Sequence, residues 1–320
     1  MIYILLLIGS FCLTYAIKEF AIKKSFVALV NERSSHSVPT PHGGGLAIAI
    51  TWFLGLLYLF YTQQIEHSLF YVLMLGLAIS ILSFFDDIYE LRARVRLFVH
   101  AIVAIVGLYL LGGFNSLDFG FFTISNPIFT NLFAFFLIVW FINLYNFLDG
   151  INGYAGAEAV FLSIAGFLLF GDKHFLVLLV STLGFLYWNW NKAKIFMGDV
   201  GSTLLGYNIA IFTLYYAEEE SMNFWIWIIL FSLFLVDATL TLLRRCINVE
   251  KIGEAHRKHA YQRLTQSGWS HHKVTNWAIV INCILLCLVY FINSVFIAFS
   301  ISIMLLYGII TFIDIKKGFK

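Results

Sequence analysis

A chain of 320 residues could bury a large soluble core, but 61% hydrophobic and only 12% charged residues cannot clothe one, since an ordinary soluble domain is roughly 25% charged. A mean hydropathy of +0.87, 18% aromatic residues and 3 prolines exclude a soluble enzyme and a disordered chain and predict an all-α polytopic integral membrane protein. The net charge of +2 says little by itself; no nucleic acid is expected as a partner, and the information lies in where the charges fall.

Crossing a bilayer takes about 20 apolar residues per helix. Stretches of that kind run over 2–21, 44–62, 68–85, 97–112, 129–147, 155–171, 174–190, 201–217, 223–242, 274–293 and 295–313. They predict about eleven transmembrane helices in a single membrane-embedded domain over 1–320, without internal repeat or low-complexity tract. The first stretch lacks a basic start and a small-residue cleavage site. Lys18, Lys23 and Lys24 follow it, so it reads as a retained span with its anchor. Placing the N-terminus outside puts all of the 20 Lys and Arg residues except Lys173 on the inner side. The outer loops then carry Glu66, Asp118, Asp172 and Glu218 to Glu220. The positive-inside rule therefore predicts an outside N-terminus and a cytoplasmic C-terminus. The outer segment 112–127, rich in Phe, allows a short hairpin on the membrane. Cys283 and Cys287 share a helix face and are expected to pack and not to pair.

Polar clusters stand where apolar runs end, and in this topology all emerge on the inner side. The first inner loop, Asn31 to Ala47, holds Arg33, His36 and His42 as donors, two stiffening prolines and the run Gly43 to Gly45. Asp86 and Asp87 follow the third span; adjacent carboxylates repel unless a cation or proton joins them, which suggests a metal, a base or both. Arg92, Arg94 and Arg96 come next and read equally well as ordinary anchoring. In NLYNFLDGINGYAG, Asn146, Asp149 and Asn152 are three apart, so a helical turn would bring them to one face. Asp199, between Gly198 and Gly201, reads as a hard-cation ligand in a tight turn. In EAHRKHAYQR, His256 and His259 with Arg257 between them look like a phosphate grip; no Cys or further His completes a zinc tetrahedron. Arg244 and Arg245 are expected to be anchors alone. Acidic ligands, amides and a basic loop on one face make a diphosphate site, since Mg²⁺ binds a few carboxylates together with substrate phosphates.

Five motifs in this order, PTPHGGG, FFDDIYELRARVRL, NLYNFLDGINGYAG, IFMGDVGSTLLG and HRKHAYQRL, resemble those of the polyprenyl-phosphate N-acetylhexosamine-1-phosphate transferases. That superfamily includes the phospho-N-acetylmuramoyl-pentapeptide transferase of peptidoglycan synthesis and the eukaryotic dolichyl-phosphate enzyme. The likeness runs from about 31 to 263. NERSSH, together with HRKHAYQ in place of a triple-histidine loop, is most similar to the bacterial branch that initiates O-antigen and polysaccharide synthesis. The resemblance implies transfer of a sugar 1-phosphate from a UDP-N-acetylhexosamine to undecaprenyl phosphate with release of UMP. It implies a multi-pass protein of the bacterial inner membrane with a cytoplasmic active site and Mg²⁺ as cofactor, Mn²⁺ being an alternative; a homodimer is compatible with it. By matching positions, Asp199 would hold the metal with Asn146 as second ligand, and Asp149 and Asn152 would hold the nucleotide. Asp86 and Asp87 would position or deprotonate the lipid phosphate. His256, Arg257 and His259 would grip the diphosphate or sugar, with Arg33 and His36 as further substrate-binding candidates. Glu90 stands where relatives often carry a third acid.

The rival class is a secondary transporter or channel, which predicts ionisable residues through the depth of the bilayer. Asp237 and Glu158 are the candidates, and both fit a packing or inner-site role better than a relay.

Overall fold

The structure, a computed structural model, describes residues 1–23, 27–28, 40–89, 91–251, 253–254 and 256–319. The chain runs α1 (Ile2–Lys23), β1 (Val27–Ala28), β2 (Thr40–Pro41), α2 (Gly45–Tyr61), α3 (His67–Met74), α4 (Gly76–Tyr89) and α5 (Ala93–Leu111). It continues through β3 (Leu117–Asp118), β4 (Thr123–Ile124), α6 (Pro127–Phe147), α7 (Tyr154–Phe170), α8 (Lys173–Asn189) and α9 (Asp199–Glu219). It ends with α10 (Met222–Leu230), α11 (Ser232–Ile247), the short α12 (Ala260–Gln266), α13 (His271–Phe291) and α14 (Val295–Lys316). Every apolar stretch found in the sequence is helical. Among the described residues six helices are long and apolar enough to cross a membrane, α3 and α4 counting as one, and α10 with α11 makes a seventh if that broken pair is one span. The chain is thus an all-α, polytopic membrane protein.

The ninth expected span is not straight. It breaks between α10 and α11 with a bend of 76°. A bend frees backbone carbonyls that lipid cannot satisfy, and the Ser232 hydroxyl donates to the Ile229 carbonyl at 2.6 Å. Phe231, at the break, packs against Phe141, Tyr145 and Phe234. The outer segment does form a hairpin, with β3 antiparallel to β4 and Leu117 facing Ile124. The Trp225 indole donates to the Asp118 carbonyl at 2.6 Å and ties the hairpin to α10. Helix α6 begins on Asn126, whose Oδ1 accepts from the amides of Ile128 and Phe129 at 3.0 and 3.1 Å, with Pro127 in the first turn.

Helix α9 is the axis of the bundle. It is buried almost all round, and a helix without a solvated face belongs inside. It packs against α2, α4, α6 and α10. Small residues permit this, as lipid offers no hydrophobic drive between helices and close backbone packing has to replace it. A Cβ on Gly45 would overlap the backbone of Gly201, and one on Gly206 would overlap the Phe141 carbonyl. The Ser83 and Thr203 hydroxyls meet at 2.9 Å and dock α4 on α9.

The two ends of the bundle differ in charge. At one end Tyr215 donates to Glu66 at 2.6 Å, Asn115 to Glu218 at 2.8 Å and Tyr216 to Asp172 at 2.5 Å. The other end gathers the polar clusters around residues 86, 146, 199 and 256 and most of the Arg residues. Cys12, Cys246, Cys283 and Cys287 are free and exposed on the outer surface of the bundle, so Cys283 and Cys287 do not pair and do not pack inward.

The glycine contacts predict a stability pattern. Gly45→Val and Gly206→Val, which overpack the α9 contacts, should each destabilise the protein by about 1–3 kcal/mol or more. Gly308→Val, on α14 with no atom near its Cβ position, should leave the thermal midpoint in detergent within about 2 °C, the shift of a few tenths of a kcal/mol. Equal midpoints for all three variants would refute the central placement of α9.

Candidate active site

The end of α4 meets the start of α9. Asp86 is buried and uses both oxygens: Oδ1 accepts from the Leu91 amide at 2.7 Å and Oδ2 from Arg96 Nη1 at 2.6 Å. The carboxylate thereby closes the turn between α4 and α5. Asp87 points toward α9, its Oδ1 3.5 Å from the Asp199 amide. Gly198, with φ of +76°, opens α9, and a Cβ there would stand 3.1 Å from Asp87 Oδ2. The positive φ favours glycine at this position, and a Cβ would also crowd the Asp87 carboxylate. Asp199, the first residue of α9, lies where the positive end of the helix dipole favours an anion. Its Oδ1 accepts from Asn146 Nδ2 at 2.9 Å, and the same nitrogen reaches Ser202 Oγ at 2.9 Å. Its Oδ2 is 3.5 Å from Arg96 Nη1.

Asp149 completes the group from the loop after α6. Burial, then the charges of Asp199 and Asp87, push its carboxyl well above the usual carboxylate range. Asp86, Asp87, Asp149 and Asn146 thus converge on Asp199, with one guanidinium among them. The first inner loop forms a wall of the site. The Phe196 amide donates to the Pro41 carbonyl at 2.8 Å, and Gly44 and Gly45 donate to the carbonyls of Phe196 and Met197 at 2.9 and 2.8 Å.

The expectation that Asn146, Asp149 and Asn152 share one helix face fails. Helix α6 ends at Phe147, and the chain turns through Gly150 and Gly153, the latter at φ +74°. Asn152 leaves the carboxylates and donates to the Asn191 carbonyl at 2.7 Å, while its own carbonyl accepts from Thr275 at 3.1 Å. It pins the loop instead of facing Asn146. Gly150 is needed because Tyr261 passes over it and donates to the Phe147 carbonyl at 3.1 Å.

The basic loop is built on Asp237. Its Oδ1 accepts from the Ala260 amide at 2.7 Å and its Oδ2 from the Tyr261 amide at 3.3 Å, so a carboxylate from α11 caps α12. His259 Nδ1 lies 3.4 Å from the same carboxylate. The rings of His256 and His259 are 4.9 Å apart, and the Arg257 carbonyl accepts from Gln266 at 2.6 Å. Burial first, then the neighbouring His259 and Arg245, push the His256 imidazole down to about 4. Arg245, expected to be an anchor, is a correction. It is buried, and it donates to Glu250 at 3.2 Å and to the carbonyls of Lys251 and Glu254 at 2.5 and 3.1 Å, so it organises the loop. Arg244 likewise makes a two-point pair with Asp314 at 2.9 and 2.8 Å. Sequence position alone does not distinguish an arginine that pairs within the fold from an interfacial one. Arg33, His36 and Glu90 lie outside the described residues.

Among the described residues one cavity opens beside Arg96 and another beside Asp87. The larger, about 660 Å³, lies among α5, α6 and α11, with Leu97, Phe136 and Trp140 as apolar walls and Arg96, His256 and His259 at its polar end. The smaller, about 410 Å³, lies among α1, α2 and α4, between Phe20, Leu46 and Phe84, with His42 and Asp87 at its end. Arg92, Arg94 and Arg96 look alike in sequence. Arg92 and Arg94 are exposed, and Arg96 alone of the three turns inward. The alternation R-A-R-V-R at the start of a helix hides the one whose face matters.

The donors around Asp199 are hard oxygens, which suits a divalent hard cation. Among the described residues no three His, Cys, Asp or Glu side chains form a ready-made metal cage. The fit is to a cation held by one or two protein groups and completed by water and substrate phosphate, the habit of Mg²⁺.

Comparison with known proteins agrees with this geometry. Residues 69–217 match the family described as glycosyl transferase family 4, a span that contains Asp86, Asp87, Asn146, Asp149 and Asp199. The chain is 32% identical over 292 residues to a Bacillus subtilis protein named "Probable undecaprenyl-phosphate N-acetylglucosaminyl 1-phosphate transferase", covering 84% of this chain and 78% of the relative. It is 29% identical over 215 residues to the undecaprenyl-phosphate alpha-N-acetylglucosaminyl 1-phosphate transferase of Thermotoga maritima, covering 66% and 64% of the two chains. It is 27% identical over 195 residues to a phospho-N-acetylmuramoyl-pentapeptide-transferase of Wolbachia pipientis, covering 52% and 57%. With the carboxylates of three loops converging at the head of α9 and these relatives spanning most of its length, the chain belongs to the polyprenyl-phosphate N-acetylhexosamine-1-phosphate transferase family.

Proposed function

We propose that this protein transfers an N-acetylhexosamine 1-phosphate, with N-acetylglucosamine the first candidate, from its UDP-sugar to undecaprenyl phosphate. The observation that carries the reading is the convergence of Asp86, Asp87 and Asp149 on Asp199, with Arg96 between Asp86 and Asp199 and with Asp87 at the end of the apolar cavity of about 410 Å³. Such an arrangement suits a substrate with a charged head and a hydrocarbon tail. The names of the relatives support a polyprenyl phosphate acceptor. The basic end of the bundle supports a cytoplasmic site in a bacterial inner membrane, with eleven crossings and the N-terminus outside. The product would begin a cell-surface glycan such as O-antigen.

In the reaction an oxygen of the lipid phosphate attacks the phosphorus that bears the sugar. The bond from that phosphorus to the bridging oxygen breaks, and UMP leaves with the electron pair. Phosphoryl transfer of this kind relies on positioning and charge stabilisation. Asp199 with Asn146 would hold Mg²⁺ or Mn²⁺, whose charge offsets the one that develops on the leaving oxygen. Asn146 keeps Asp199 oriented through its 2.9 Å contact. Asp87, with no cation in hydrogen-bond contact among the described residues, aligns the attacking phosphate. A phosphate monoester with second pKa about 6 is largely ionised at neutral pH, so alignment matters more than proton removal. Asp86 holds Arg96. His256, His259 and Arg257 face the donor diphosphate from the loop that Asp237 and Arg245 support.

The transport alternative finds no support. Asp237 is engaged by the amides of α12 and leads to His259 and His256 in the loop at the basic end, and Glu158 is held by Asn282 at 2.6 Å; neither side chain carries a relay through the bundle among the described residues.

Two measurements test this reading. Asp199→Asn should lower UMP release from UDP-N-acetylglucosamine and undecaprenyl phosphate at least about 100-fold, the loss of several kcal/mol of transition-state stabilisation. Its thermal midpoint should stay near that of the parent, and EDTA should abolish turnover in the parent. A fully active variant, or turnover in EDTA, would overturn the site. The second concerns His256, whose imidazole is held at about 4 in the fold against about 6.5 in an unfolded chain. Between those values the unfolded chain binds the proton that the folded one refuses, so stability falls as pH drops from 6.5 to 4. His256→Gln should flatten part of that fall in a series of thermal midpoints. Parallel pH curves for the two proteins would show that His256 is not held neutral.

A further inference from the structure

We propose that Arg96 is an exchangeable counter-ion of the catalytic carboxylates: it occupies Asp199 before the divalent cation arrives, and the cation turns it out toward the phosphate-binding cavity. The inference rests on the metal-dependent reading above. Its basis is one nitrogen shared by two carboxylates from different helices. Arg96 Nη1 is 2.6 Å from Asp86 Oδ2 and 3.5 Å from Asp199 Oδ2.

The two contacts are not equivalent. The Asp86 side chain is only 6% exposed, and its second oxygen is taken by the Leu91 amide. Removing Arg96 from it would strand a buried charge, which is costly. The Asp199 side chain is 32% exposed, its Oδ1 is taken by Asn146, and its Oδ2 faces the guanidinium at the longer distance. The longer, more exposed contact is the one that yields. A divalent cation on Asp199 would place like charges within a few Å of each other, and Arg96 would leave Asp199 while remaining on Asp86.

The exit is already built. Arg96 also lines the 660 Å³ cavity whose polar end carries His256 and His259. A guanidinium that pivots on Asp86 away from Asp199 therefore moves toward the place where a phosphate would lie, and its planar fork suits phosphate oxygens. Asp86 becomes the positioning residue of this pivot. Metal loading and phosphate capture are then coupled through one side chain, and by linkage each must strengthen the other.

The test compares Mn²⁺ binding to the purified full-length protein and to Arg96→Gln in detergent, read as the loss of the free Mn²⁺ electron paramagnetic resonance signal. Without nucleotide the variant should bind Mn²⁺ about 3- to 10-fold more tightly, because no guanidinium competes for Asp199. With saturating UDP the gap should close or reverse, because the parent then uses Arg96 on the diphosphate. Arg96→Lys, which keeps one charge without the fork, should fall between the two, and it decides the matter if Arg96→Gln does not fold. Equal or weaker Mn²⁺ binding by a folded Arg96→Gln without UDP, or by Arg96→Lys in its place, would overturn the counter-ion role while leaving the metal site standing. No Mn²⁺ binding by the parent even with UDP would remove the metal-dependent reading, and the counter-ion role with it.

Discussion

The structure depends on holding acidic groups together against their own repulsion. Asp86, Asp87, Asp149 and Asp199 approach one another at a membrane end, where water screens less than in bulk. Three devices make this tolerable. The head of α9 offers its dipole to Asp199, Asn146 donates to it, and Arg96 bridges it to Asp86. The residual strain shows at Asp149, where burial first and then the charges of Asp199 and Asp87 oppose ionisation of the carboxyl. Clusters of mutually perturbed carboxylates are a mark of functional sites, since a fold gains nothing from them in stability.

The rest of the bundle exists to aim this cluster. Helix α9 can start where it does because Gly45, Gly201 and Gly206 let neighbouring backbones touch, and because Ser83 and Thr203 bind α4 to it. The bend between α10 and α11 does a second job. Beyond it α11 walls the larger cavity and also presents Asp237 to the start of α12. One broken helix thereby shapes the cavity and supports the loop at its mouth.

The basic loop is tied down from an unexpected quarter. Asp314, near the end of α14, pairs with Arg244 and with Arg263, the latter at 2.5 Å. The ring of Phe319 lies 5.4 to 5.5 Å from the cationic groups of Arg244, Lys258 and Arg263. Much of the positive charge at this end of the bundle is thus engaged in holding the loop.

By itself the sequence determined the class, the helices and the carboxylates that meet at the head of α9. Composition demands a membrane, each apolar run is a helix because its backbone must satisfy itself in lipid, and carboxylates and glycines at the ends of those runs have no core to serve. Asp86, Asp87, Asn146, Asp149 and Asp199 were legible for that reason, and they meet. What only the tertiary structure decided was direction. Asn152 turns to Asn191 because two glycines end the helix before the three-residue spacing can act. Arg96 turns inward while Arg92 and Arg94 stay exposed, because only its side of α5 faces the turn that Asp86 closes. Arg245 supports a loop and Asp237 caps a helix, where their positions suggested an anchor and a packed acid. Spacing along a chain fixes which residues can share a helix face, but which partner lies opposite that face is set by other helices, and a linear pattern holds no record of them.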